Sequence, residues 1–88
     1  MEDENPPSRH QVRDVLHHLL IDIGKIPPEK ITDDACVDGE LKMESVVFIE
    51  IQVALEEAFD IDIDPMQMIE LNELDAIVDY LHRCVCMR

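Results

Sequence analysis

Eighty-eight residues suffice for one domain, and a chain this short buries only about 60% of its unfolded surface. Twenty-one acids against seven Lys and Arg leave a formal net charge of −14, which argues against nucleic acid and anionic membranes as partners. Apolar residues make up 47% of the chain and only Phe48, Phe59 and Tyr80 are aromatic, so the core must be aliphatic.

An acidic body suits docking onto basic patches of other proteins, with charge steering the encounter, as well as simply keeping a domain in solution. Cys36, Cys84 and Cys86 are an odd count and build no disulfide framework. Cys84 and Cys86 stand two apart, so on a helix they point to different faces. There is no cationic start followed by an apolar run, and no stretch approaches the roughly 18 apolar residues of a membrane span. The expectation is a soluble, cytoplasmic protein.

Residues 1–7 are polar and end in Pro6-Pro7, which predicts a short disordered tail. Ser8 then offers a helix N-cap with Gln11 as its capping-box partner. Val12, Val15, Leu16, Leu19 and Ile23 follow at helical spacing, and Gly24 is a natural stop, so helix one runs from about Arg9 to Ile23. Residues 24–44 form a long connection broken by Pro27-Pro28. Its scattered apolar residues (Ile26, Ile31, Ala35, Val37, Leu41, Met43) indicate that it packs down on the domain.

Helix two is expected over Ser45–Phe59. A short third helix can start with Asp64 as N-cap, Pro65 at the first helical position and Gln67 completing a capping box. Asn72 caps a fourth, with Leu74, Ile77, Val78, Leu81 and Val85 in one stripe. Only Asp60–Asp64 alternates like a strand, and it is too short to build a sheet. The fold class is therefore all-α: a small four-helix bundle of three longer helices and one short one, with the domain over 8–84 and a C-terminal tail over 85–88.

Helix two has apolar residues on two arcs. Ala54, Val47, Ala58, Ile51, Leu55, Phe48 and Phe59 form a core face. Opposite them Val46, Ile49 and Val53 make a second stripe at i, i+3 and i+7, edged by Glu50 and Glu57 on one side and Glu56 on the other. A greasy strip rimmed by carboxylates suits protein docking, because unpaired carboxylates are seldom buried.

The chain has two serines. Ser8 is explained as a cap, whereas Ser45 opens helix two directly after the long connection, where the positive helix end favours an attached phosphate.

Glu44-Ser45-Val46, followed by the run from Phe48 through Ala54-Leu55-Glu56-Glu57-Ala58-Phe59 to Ile63, resembles the acyl carrier protein family. That family shows Asp-Ser-Leu opening a helix that ends in Ala-Leu-Glu-Glu-x-Phe. The similarity extends through Ala76–Leu81 and covers about residues 9–82. The chain departs from the usual pattern at Lys42, where the family has Gly, at Glu44 for Asp, and at Val47 for an acid. These departures suggest a specialised carrier.

The resemblance implies that Ser45 bears 4′-phosphopantetheine, donated by coenzyme A through a magnesium-dependent phosphopantetheinyl transferase. The thiol of that arm would hold acyl intermediates as thioesters for fatty acid, polyketide, peptide or lipid-modifying enzymes. The family's partner-binding positions fall on Glu44, Val46, Ile49, Glu50, Val53, Glu56 and Glu57, which would meet basic docking patches. The protein would be a monomer and not an enzyme. The alternative is an unmodified carrier-like module for acidic protein interaction.

Competing sites are weaker. Asp60-x-Asp62-x-Asp64 starts like a calcium loop but has Pro65 and Leu71 where that loop needs Gly and Glu. His10, Asp14, His17 and His18 are expected to face solvent rather than hold a metal. Met66 and Met68 read as flexible core filler, or as the border of an acyl cavity.

Overall fold

Helix α1 (Arg9–Asp22) begins as the capping residues dictate. Ser8 Oγ accepts from the Gln11 N–H at 3.2 Å, and Gln11 Oε1 accepts from the Ser8 N–H at 2.8 Å. This computed structural model describes residues 7–37, 39 and 41–87. All of the tail expected before Ser8 except Pro7 lies outside them. The helix ends with Ile23 as its C-cap, one residue short of expectation.

Gly24 is needed there for space rather than for an unusual dihedral, since no described glycine has a positive φ. A Cβ at Gly24 would stand 2.6 Å from the Leu20 carbonyl oxygen. Lys25 makes the left-handed turn instead, with φ of 58°.

The connection from 24 to 44 packs down as its apolar residues predict. Ile26, Ile31, Ala35, Val37 and Leu41 are all buried, and Met43 packs against the core from its edge. Pro28–Lys30 form one 3₁₀ turn. Farther on the backbone is stitched to the junction before the last helix. The Val37 N–H donates to Asn72 O at 2.8 Å, Leu74 N–H to Ala35 O at 2.9 Å, and Asp75 N–H to Asp33 O at 2.9 Å. Cys36 and Glu73 pair as an isolated antiparallel bridge, and no strand occurs among the described residues.

Helices α2 (Ser45–Phe59), α3 (Pro65–Leu71) and α4 (Leu74–Met87) complete the all-α bundle. Helix α1 packs on α2 and α4, and α3 packs on α4. Phe48, Ile51, Leu55 and Phe59 of α2 meet Val12, Leu16 and Leu20 of α1 and the buried α4 stripe in one aliphatic core. No polar side chain is buried among the described residues, so the charge stays at the surface.

Four expectations are corrected. Asn72 closes α3 as its C-cap, with φ of 65°, and α4 starts two residues later. Asp64 accepts from the Met66 N–H at 3.0 Å, but its own N–H goes to Tyr80 Oη at 3.1 Å rather than to Gln67. Ala58 is exposed, because at 100° per residue it lies at the margin of the arc centred on the buried Phe48, Ile51, Leu55 and Phe59. The helix also continues beyond 84: α4 runs to Met87, and Val85 is only 1% exposed because it completes the apolar stripe.

Candidate functional site

The two serines do different things. Ser8 spends its hydroxyl on the α1 cap. Ser45 is the first residue inside α2, Glu44 is the N-cap with extended backbone, and the Glu44 side chain makes no capping bond. Phe48 N–H donates to Glu44 O at 2.9 Å, which starts the helical ladder. The Ser45 side chain is exposed and makes no hydrogen bond to the described residues. Its hydroxyl therefore stands at the positive end of a fifteen-residue helix with nothing competing for it.

Three residues before Ser45, Lys42 holds φ of 48°. The backbone thus makes a turn that glycine adopts without strain, although a lysine occupies it. Its side chain borders a surface pocket with Glu29, Lys30 and Thr32, so two of the few cations share one face of the connection.

Beside Ser45 opens an apolar groove of about 580 Å³ between the connection, α2 and α3. Val37 and Met43 come from the connection, Phe48 and Ile49 from α2, and Pro65, Met66 and Ile69 from α3. Its polar lining side chains are Ser45 at one end and Gln52 farther along α2. A volume of this size falls in the range of small-molecule sites.

The second stripe of α2 faces outward. Val46 is 67% exposed, Ile49 53% and Val53 44%, with Met66 and Ile69 of α3 also exposed beside the groove. Glu44, Glu50 and Glu57 are exposed at its margins. Glu56 differs: it is half-buried, and its Oε2 accepts from the Ile63 N–H at 2.8 Å. Gln52 Nε2 donates to the Ile63 carbonyl at 3.3 Å, so both bonds hold the segment that leads into α3. Tyr80 holds the next residue from α4 through the Asp64 N–H, and burial pushes the Tyr80 phenol above its ordinary pKa.

The two methionines divide the two roles read for them: Met66 borders the groove at 63% exposure, while Met68 is buried as core. A seven-residue helix with Met68 inward needs its neighbours to point elsewhere, and Met66 and Ile69 at i and i+3 share that other face. That spacing was the available signal for the groove's far wall. His17 is also half-buried rather than solvent-facing, and burial, followed by the Arg13 charge, holds its pKa below the ordinary value. No group of three metal-ligating side chains converges among the described residues, and no helix is long and apolar enough to cross a membrane.

Several known proteins are similar to this chain. An acyl carrier protein of Thermobifida fusca (strain YX) is 22% identical over 76 residues, 86% of this chain and 96% of that protein. One from Buchnera aphidicola subsp. Schizaphis graminum (strain Sg) is 29% identical over 73 residues, 83% of this chain and 92% of its own length. A methylphloroacetophenone synthase of Cladonia uncialis is 30% identical over 69 residues, which span 78% of this chain but only 3% of the synthase. The family model described as "Phosphopantetheine attachment site" matches residues 14–81.

Domains of that family hold 4′-phosphopantetheine covalently and are not themselves catalytic; they work with phosphopantetheinyl transferases and acyl-handling enzymes. An exposed serine at a helix start, uncommitted to a cap and opening onto an apolar groove, fits that group. By its sequence match and its four helices, the chain belongs to the phosphopantetheine attachment-site family, as an acyl-carrier-type domain.

Proposed function

We propose that Ser45 is the attachment point and that the protein shuttles acyl groups between cytoplasmic enzymes that dock on α2. When bound, the arm supplies a thiol that holds acyl groups as thioesters. The observation that carries this reading is the contrast between the serines: Ser8 is consumed by a cap and Ser45 is not. The positive end of α2 favours the phosphodiester, and the groove beside Ser45 offers apolar shelter to a carried chain.

Docking is assigned to the exposed Val46, Ile49 and Val53, with Glu44, Glu50 and Glu57 steering basic patches of partner enzymes. A small apolar strip with a charged rim favours fast, brief encounters, which a shuttle requires. Glu56 joins them from the edge of the strip while its carboxylate holds Ile63. The relatives named acyl carrier protein support an acyl cargo, and this reading admits both fatty-acid and polyketide enzymes as partners. The working unit is a monomer.

The test is intact mass after incubation with coenzyme A, magnesium and a broad-specificity phosphopantetheinyl transferase. The expected gain is one phosphopantetheine, lost in Ser45→Ala. No gain in the wild type would leave the alternative, an unmodified acidic interaction module, which the lysine at position 42 and Val47 in place of the family's residues favour.

A further inference from the structure

Ile63 is gripped at both its N–H and its carbonyl by one helix. Glu56 takes its N–H at 2.8 Å and Gln52 gives to its carbonyl at 3.3 Å. Gln52 and Glu56 stand four apart, so they leave the same face of α2 on successive turns. Immediately after Ile63 come Asp64, the cap of α3, and then Pro65, Met66 and Ile69, which form the groove's far wall. The near wall is α2 itself, and Gln52 lines the groove while making its bond to Ile63.

The two side chains thus tie α2 to the residue just before the cap of α3, and where that residue sits fixes how far the start of α3 stands from α2 across the groove. Helix α3 has seven residues and only Met68 fully buried, so its own packing is a weak anchor. Tyr80 fixes Asp64 to α4, but that bond does not reach across the groove.

We propose that Gln52 and Glu56 are positioning residues that set how far the α2–α3 groove opens, and thereby which acyl chains it shelters. The inference rests on Ser45 carrying the acyl group. The occupant is the protein's own acyl chain entering past Ser45, because the walls are apolar and the serine stands in the lining. An acetyl group is too short to pass the mouth, so its thioester is indifferent to the latch. A medium chain fills the groove and depends on it.

The experiment transfers acetyl- or medium-chain acyl-phosphopantetheine from the matching acyl-coenzyme A to Ser45, releasing adenosine 3′,5′-bisphosphate, and measures thioester cleavage by hydroxylamine, with loading checked first by mass and folding by thermal melting. Gln52→Leu keeps the side-chain bulk and removes the donor. Glu56→Ala removes the acceptor, and Glu56→Gln keeps an oxygen that can accept from the Ile63 N–H. Losing one such hydrogen bond is expected to speed cleavage of the medium-chain thioester about 5-fold in Gln52→Leu and Glu56→Ala. Acetyl cleavage stays at the wild-type rate in all variants, and Glu56→Gln retains wild-type protection of both.

Equal acceleration of acetyl and medium-chain thioesters would show general loosening and overturn the proposal. Unchanged medium-chain rates in both Gln52→Leu and Glu56→Ala would overturn it as well. Failure of the wild type to load would instead overturn the carrier reading, and the latch with it.

Discussion

The Arg9 guanidinium reaches from the first turn of α1 to Asp79 on α4, its Nε donating to Oδ1 at 2.8 Å, while Nη2 donates to the Asp75 carbonyl at 3.0 Å. One of the few cations thus straps together the two helices that close the bundle, in a chain of net charge −14. Hydrogen bonding from Arg9 holds the Asp79 carboxyl below its ordinary range. Both partners lie at the surface, so the strap is screened by salt and its loss is felt mainly at low ionic strength.

Acid weakens the fold in two separate windows. His17 has a folded pKa below its ordinary 6.5, mainly from burial, so the unfolded chain takes up its proton first. The neutral-His17 contribution is complete above 6.5 and is lost as pH falls from there toward the folded value. Asp79 behaves as a depressed carboxyl: its contribution is present above 3.8 and disappears as pH falls through the lower folded value. Thermal melts across mildly acidic pH should show a smaller fall for His17→Gln than for wild type, with both still sharing the Asp79 loss at lower pH. Parallel curves for the two proteins in the upper window would contradict the His17 assignment.

Lys42 holds a positive φ that a side chain makes costly. Lys42→Gly is expected to stabilise the domain by about 0.5–1 kcal/mol, the relief of strain exceeding the added freedom of the unfolded chain. Lys42→Val, a β-branched residue at the same dihedral, should destabilise it. Denaturant midpoints of the three proteins give the order directly: Gly above Lys above Val.

The two faces of α2 should separate in stability and transfer assays. Leu55 is fully buried, so Leu55→Ala should cost about 2–5 kcal/mol and leave so small a domain barely folded. Ile49→Ala and Glu50→Lys lie on the exposed side and should change stability by no more than about 0.5 kcal/mol while weakening acyl transfer to a partner enzyme. Thermal collapse of the Ile49 and Glu50 variants would place that side in the core.

The bounds of α2 were legible because its signals agree: an apolar stripe from Phe48 to Phe59, then Asp60, which takes the left-handed C-cap at φ of 56°. The outward stripe was legible because three glutamates bracket Val46, Ile49 and Val53 in sequence. Asn72 misled, since a residue favoured at helix starts also tolerates the positive φ that ends one. Gly24 marks the end of α1 as read, but its use is close approach to Leu20 O, which only the fold shows. The grip on Ile63 depends on residues eleven and seven apart meeting around a turn, and helical periodicity does not describe that meeting.

The stitching of residues 33–37 onto the start of α4 bears on how the molecule carries load. Were an enzyme to pull at Ser45 as proposed, the chain before it would be anchored at the Val37–Asn72 and Ala35–Leu74 bonds, and so to the helix braced by α1. Tension would then be shared with the rest of the bundle instead of falling on the first turn of α2 alone.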